Sequence, residues 1–127
     1  MTDTTYSYVR CRGEDIHHFE KLGYELQQDD QDGVTELFDP QAEYGNSTHL
    51  EQLSKEGVVF CAWHGCGGDY GPCVQASDGK TYVDVPGADD GFPVVKLRDD
   101  GEIDEVGLRE ARLYLRVYRF AREALGS

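Results

Sequence analysis

The sequence predicts a single α+β domain: a mostly antiparallel sheet of about five to seven strands, with two short helices and one long C-terminal helix packed on it. Short segments rich in β-branched and aromatic residues recur between glycine-containing turns. Two of these turns contain Asp-Gly, which favours hairpins over βαβ units. The last part of the chain instead follows a helical period. A chain of 127 residues suits one such domain with one core.

The first half of the chain predicts a strand, a short helix and a hairpin. Residues 6–11 are aromatic and β-branched and predict the first strand. A short helix with an acidic first turn follows, and Gly23 is placed to end it. Residues 24–27 and 34–38 then predict two strands joined by an acidic turn.

The middle of the chain predicts a second helix and the centre of the sheet. Thr48 and Glu51 have the spacing of a capping box, so a helix is expected to start there and to end at Gly57. Residues 58–63 are almost continuously apolar, which favours a central strand. Two further strands, 72–76 and 81–85, are expected on either side of the Asp-Gly turn at residues 77–80.

The last third predicts one more strand and the longest helix. Residues 94–97 are expected to form a strand that ends at a second Asp-Gly turn. Residues 104–125 are expected to form a helix with an apolar arc wider than one sheet face needs. The surplus apolar surface is typical of an interface and indicates a possible homodimer through this helix.

The overall charge narrows the classes of partner. Against 12 basic residues the chain has 25 acidic ones, which gives a net charge of −13. Such acidity disfavours nucleic acid and anionic membranes as direct partners and favours a basic protein. Adaptation to a salty cytoplasm is the alternative explanation. The absence of a long apolar run and of a secretory signal predicts a cytoplasmic location, where cysteines stay reduced.

One strip of the long helix is basic. Four arginines lie at spacings of three and four residues and therefore share one helix face: Arg109, Arg112, Arg116 and Arg119. Residues 105–127 carry five arginines and three glutamates, a local charge of +2, so residues 1–104 carry −15. The strip is either a solvated face bridged to the protein's own carboxylates or a site for an anion or a partner.

The segment CAWHGCGGDYGPC, residues 61–73, is the candidate metal or thiol site. Cys61, His64, Cys66 and Cys73 match the ligand count of a zinc site, although their spacing is not that of paired CxxC units. His64, Cys66 and Cys73 are the easiest of these to bring together on the loop. Alternatively, the glycines form a tight connection between two core strands, and no zinc or other cofactor is held.

The acidic turns and loop aromatics suggest a binding function. Seven aspartates and three aromatic residues fall on predicted turns and loops: Asp29, Asp30, Asp32, Asp89, Asp90, Asp99, Asp100, Tyr44, Tyr70 and Phe92. Together they favour an acidic inhibitor of a basic nuclease or nucleoprotein effector, similar in role to immunity proteins, phage anti-defence or anti-CRISPR proteins, or nucleic-acid mimics. The alternative function is a small zinc-binding or thiol-dependent enzyme centred on the cysteine-rich segment.

Overall fold

A six-stranded antiparallel sheet forms the frame of the molecule. The computed structural model describes residues 4–29, 34–67, 70–88 and 91–126. Within these ranges the strands follow the order β2-β3-β1-β4-β5-β6. The strands are β1 (Thr4–Arg12), β2 (Glu25–Asp29), β3 (Val34–Glu43), β4 (Val59–His64), β5 (Cys73–Asp78) and β6 (Tyr82–Pro86). The predicted α+β class and number of strands are confirmed.

In the described part of the chain, three α-helices cover the sheet from both sides. They are α1 (Ile16–Glu20), α2 (Ser47–Lys55) and α3 (Glu105–Gly126). The two short helices pack on one face, and the long helix crosses β4, β5 and β6 on the other. The three predicted helices are therefore present, and α3 has nearly the predicted bounds.

The α1–α2 face of the sheet has its own hydrophobic core. Phe19 from α1 and Leu50 from α2 are fully buried against Val9, Leu37 and Phe60 of the sheet. The ring of Phe19 meets the ring of Phe60 edge to face, with centroids 5.7 Å apart. Alternating strand residues supply this face, because successive side chains point to opposite sides.

The α3 face is built from the residues in between. Val74 and Val85 pack under Tyr114 and Val117 of the helix. Farther along the helix, Ala121 packs with Cys61, which lies next to Phe60 in sequence but on the opposite face. The predicted central strand is thus buried on both sides, which explains its continuous apolar run.

Two sequence predictions differ from the structure. Residues 94–97 do not form a strand; single bridges at Gly87↔Pro93 and Leu97↔Ile103 are the pairing found there within the described residues. Val94 and Leu97 remain 46% and 69% exposed, so no sheet face recruits them. The capping box at Thr48 is also wrong. The chain enters α2 through a left-handed Asn46, so the helix already begins at Ser47 and has no side-chain cap.

None of the helices in the described part of the chain is long and apolar enough to cross a membrane.

Candidate metal centre

Three neighbouring strands bring a histidine, a cysteine and an aspartate together on the α2 face. His64 lies opposite Cys73 across β4 and β5, and Gln75 lies opposite Asp84 across β5 and β6. Alternation along β5 puts Cys73 and Gln75 on the same face. A ring nitrogen of His64, the Sγ of Cys73 and a carboxylate oxygen of Asp84 all lie within 4.8 Å of one another. We call these three residues the His64 cluster.

The imidazole of His64 is buried and held in one orientation. Its exposed fraction is 3%, and its Nδ1 lies 2.7 Å from the carbonyl oxygen of Gly65. A carbonyl oxygen only accepts hydrogen bonds, so Nδ1 carries the proton and Nε2 keeps its lone pair in the neutral ring. This is the usual arrangement of a metal-binding histidine, in which one ring nitrogen donates and the other coordinates.

A tight turn before α2 packs backbone directly against this imidazole. A Cβ built on Gly45 would lie 2.3 Å from Cδ2 of His64, so no side chain fits at this position. Tyr44, Gly45 and Asn46 all have positive φ, at 51°, 65° and 59°. Asn46 is fixed by a hydrogen bond from its Nδ2 to Oδ2 of Asp39, at 3.0 Å. Left-handed non-glycine residues are strained and tend to occur at functional sites.

The carboxylate of Asp84 is oriented through one of its oxygens. Oδ2 accepts hydrogen bonds from Ser47 Oγ at 3.0 Å, from the Tyr82 hydroxyl at 3.1 Å and from Gln75 Nε2 at 3.4 Å. None of these bonds uses Oδ1. Burial and the charge of Asp84 raise the pKa of Tyr82, so its hydroxyl stays a donor. These three bonds therefore hold the carboxylate in one orientation through Oδ2.

Gln75 connects these donors beneath the cluster. It is fully buried, and its Nε2 also lies 3.2 Å from Ser47 Oγ and 3.0 Å from the Tyr82 hydroxyl. Its Oε1 is buried without a hydrogen-bond partner among the described residues. A buried acceptor without a partner is unfavourable, so Oε1 keeps the capacity to accept one hydrogen bond.

The thiol of Cys73 is kept protonated by its surroundings. Burial, first, and the charge of Asp84 raise its pKa to about 12, and the thiol donates to the carbonyl oxygen of Gly71 at 3.6 Å. A thiol with such a pKa is a poor nucleophile at neutral pH, which speaks against a thiol-dependent enzyme in the metal-free protein. A bound dication would favour the thiolate and reverse this preference.

The structure brings together part of the predicted metal set. His64 and Cys73 meet, whereas Cys66 is exposed on the loop and is not a member of the cluster. Cys61 is buried on the opposite face of the sheet. All four cysteines are free thiols.

Sequence reasoning missed Asp84, the third member of the cluster. Asp84 lies 11 positions after Cys73 and reaches it only through the register of the β5–β6 hairpin. The Asp78-Gly79 turn was the available signal, since a tight turn sets that register. Gly45-Asn46, a pair that tolerates positive φ, was the signal for the turn against His64.

The predicted partner-binding residues fall in several places. Asp99 and Asp100 are exposed, as are Tyr44 and Phe92. The ring of Tyr70 lies 5.5 Å from the rings of both Tyr44 and His64, so two of the predicted aromatic anchors adjoin the cluster. The other predicted aspartates fall outside the described residues, or on a strand residue whose side chain is not described: Asp30, Asp32, Asp89, Asp90 and Asp29.

No family model, no curated protein and no solved structure matches this chain. The function must therefore be argued from the geometry of its own sites.

The predicted arginine strip lines an open groove on the other side of the molecule. The groove has a volume of about 750 Å³ and lies along the outer side of α3. Apolar side chains of Ile103, Leu108 and Leu115 line it together with the four arginines. We call it the arginine groove and define its basic residues as Arg109, Arg112, Arg116 and Arg119.

Proposed function

We propose that the protein binds zinc, with His64, Cys73 and Asp84 as its three protein ligands. The observation that carries the proposal is the convergence of one nitrogen, one sulfur and one oxygen donor within 4.8 Å on three paired strands. Strand pairing fixes the backbone of each ligand. Hydrogen bonds from outside the cluster fix the ring of His64 and the carboxylate of Asp84, as is usual around protein metal sites.

The donor set favours zinc over calcium and magnesium. Calcium and magnesium prefer oxygen ligands alone, whereas zinc accepts cysteine, histidine and carboxylate in one site. Zinc bonds of roughly 2.0–2.3 Å put tetrahedral donors about 3.5 Å apart. Side-chain rotations that move each donor atom by less than about 1 Å would therefore close the His64 cluster around an ion.

Three protein ligands leave one tetrahedral position for water or a substrate. This is the pattern of catalytic zinc sites, because structural sites use four protein ligands. Ring contacts run from His64 through Tyr70 to Tyr44, which is 51% exposed. These rings connect the cluster with the surface, and zinc held in the cluster would act as a Lewis acid on a bound water or carbonyl.

Calorimetric titration of the metal-free protein with zinc tests the proposal. We expect one zinc per chain, and we expect His64→Gln, Cys73→Ser and Asp84→Asn each to weaken binding by about 100-fold or more. Cys66→Ser is the matched control, since it removes a nearby exposed thiol outside the cluster. Circular dichroism would check that each variant is folded. An absence of zinc binding, or an equal loss in the Cys66 variant, would overturn the proposal.

A second candidate function is the acidic inhibitor suggested by composition. Three ion pairs occur within the described ranges, Arg10–Glu36, Arg12–Glu14 and Arg98–Asp100. Further carboxylates are exposed outside these pairs, among them Glu25, Glu43, Glu51, Glu56 and Glu102. Exposed carboxylates can attract a basic protein, such as a cytoplasmic nuclease or nucleoprotein effector.

A pull-down against a basic nuclease across a salt series tests this second function. Binding should be strongest at low salt and weaken as ions screen the carboxylates. If no binding occurs at low salt, the acidic surface is not a docking site for such a partner. The zinc titration does not depend on this outcome, so the two functions can fail separately.

A further inference from the structure

The arginine groove combines four exposed cations with an apolar wall. None of the three ion pairs within the described ranges involves its arginines. Glu105 also lines the groove, and none of the ion pairs found among the described residues joins it to these arginines. Like charges three or four residues apart on a helix repel one another, so the strip is not explained by the stability of α3.

The shape and length of the groove suit an extended occupant. From Arg109 to Arg119 the helix rises about 15 Å, or nearly three turns. Leu108 and Leu115 line the groove on one flank of the arginines. On the other flank of the helix, Phe120 is 56% exposed. The surface therefore offers a row of cations bordered by apolar side chains over the length of a short helix.

We propose that the arginine groove binds an acidic amphipathic helix of a partner protein. Carboxylates at spacings of three and four on such a helix would face the arginines, while its apolar residues pack on Ile103, Leu108 and Leu115. Arginine pairs with carboxylates in two-pronged hydrogen bonds, which gives this contact specificity as well as attraction. This interaction is independent of the zinc site, which lies on the other face of the sheet.

Two other occupants fit the groove less well. A second copy docked by the same face would set arginines against arginines, because a two-fold interface pairs a surface with itself. Nucleic acid presents phosphates over a larger footprint, which would extend onto a body carrying −15 in residues 1–104. A short acidic helix keeps its charge inside the groove, and at physiological salt the remaining acids beyond about 8 Å are largely screened.

Fluorescence anisotropy with a labelled synthetic peptide tests the proposal. The probe is a helical peptide with glutamates at spacings of three and four and leucines beside them. Its control is the same composition scrambled so that the glutamates share no face. We expect the ordered peptide to bind about tenfold or more tightly than the scrambled one. A labelled single-stranded DNA serves as a third probe.

Charge-reversal variants locate the binding site. Arg112→Glu with Arg116→Glu should weaken binding of the ordered peptide about tenfold or more. Lys55→Glu with Lys80→Glu makes the same change in net charge at exposed residues outside the groove lining and should leave binding within about twofold of the wild type. Thermal unfolding would confirm that both proteins fold.

Four results would overturn the proposal. They are no binding of the ordered peptide, equal binding of the scrambled peptide, an equal loss in both double variants, and tighter binding of DNA than of peptide. The last result would assign the groove to nucleic acid.

Discussion

The His64 cluster and the arginine groove hold their polar groups in opposite ways. In the cluster, three strands fix the ligands, and Ser47, Gln75 and Tyr82 fix the orientation of Asp84. In the groove, four exposed guanidinium groups sit on one helix without an ion pair among the described residues. Burying a polar group without a hydrogen-bond partner lowers the stability of the fold. An exposed charge stays hydrated, so it costs little stability when no partner is bound.

This difference teaches what each region can bind. Fixed donors at short range suit a small ligand with strict geometry, such as a metal ion. Exposed flexible cations suit a partner that brings its own charges and ordered shape. Changes in the cluster should therefore alter both stability and metal binding, and changes in the groove should alter partner binding alone.

The largest expected effect on stability comes from Gly45→Ala. The new Cβ would lie 2.3 Å from the His64 ring at a residue with φ of 65°. Overlap and backbone strain together should lower the free energy of unfolding by about 3 kcal/mol and displace the imidazole. Urea denaturation measures the first effect and zinc titration the second.

Gly101→Ala is the matched control for this change. Its φ is 85°, yet nothing lies within 4 Å of the added Cβ. Backbone strain alone should therefore lower its free energy of unfolding, by about 1–2 kcal/mol, and its zinc affinity should be unchanged. Equal effects at Gly45 and Gly101 would show that contact with His64 does not matter.

A smaller effect is expected when the carboxylate of Asp84 loses one of its donors. Ser47→Ala removes the hydrogen bond to Oδ2 and should weaken zinc binding about tenfold, because outer donors orient metal ligands. Thr48→Ala changes the exposed neighbour on the same helix turn and should leave zinc affinity unchanged. Calorimetry measures the zinc affinity of both variants. A similar loss of affinity in the two would contradict an orienting role for Ser47.

The buried thiols predict a loss of stability at alkaline pH. Burial is the main cause that raises the pKa of Cys11 and Cys61 from 9.0 to about 12. Above pH 9 the unfolded chain therefore releases thiol protons that the folded chain retains. The free energy of unfolding should fall as pH rises from about 9 to 12, and it should be unaffected by these thiols below 9.

Urea denaturation at pH 8 and pH 10 checks this pH dependence. Cys61→Ala should show a smaller drop between the two pH values than the wild type, since it lacks one of the titrating thiols. Alkylation at pH 8 should modify the exposed Cys66 before the buried thiols. A stability that does not change between pH 8 and pH 10 would contradict the assigned burial.

The smallest effect is expected in the arginine groove. Arg112→Ala with Arg116→Ala should change the free energy of unfolding by less than about 0.5 kcal/mol, because it removes exposed charges that repel each other. Urea denaturation measures this. A loss of several kcal/mol would show that these side chains support the fold, and the contrast with the His64 cluster would disappear.

Sequence reasoning predicted the frame of the molecule better than its site. The helix α3 and the β5–β6 hairpin follow from local signals, namely the helical period of the last residues and the Asp78-Gly79 turn. Residues 94–97 have the composition of a strand. They follow the edge strand β6 and make only isolated bridges, so tertiary context overrode their strand propensity.

The candidate site was only half predicted, because its geometry depends on long-range register. His64 and Cys73 are close in sequence and were predicted together. Asp84 joins them through pairing across two strand interfaces, and Gly45 reaches His64 through a turn that precedes α2. Cys66 is near in sequence but points out on the loop. Distance in the sequence therefore favoured Cys66, which is outside the cluster, over Asp84, which belongs to it.

Cobalt substitution tests the central claim most directly. Cobalt(II) occupies zinc sites, and a cobalt–thiolate bond gives a charge-transfer absorption band in the near ultraviolet. The metal-free wild type and Cys66→Ser should both develop this band at one cobalt per chain, and Cys73→Ser should not. A band that persists in Cys73→Ser, or no band in the wild type, would contradict a metal centre at His64, Cys73 and Asp84.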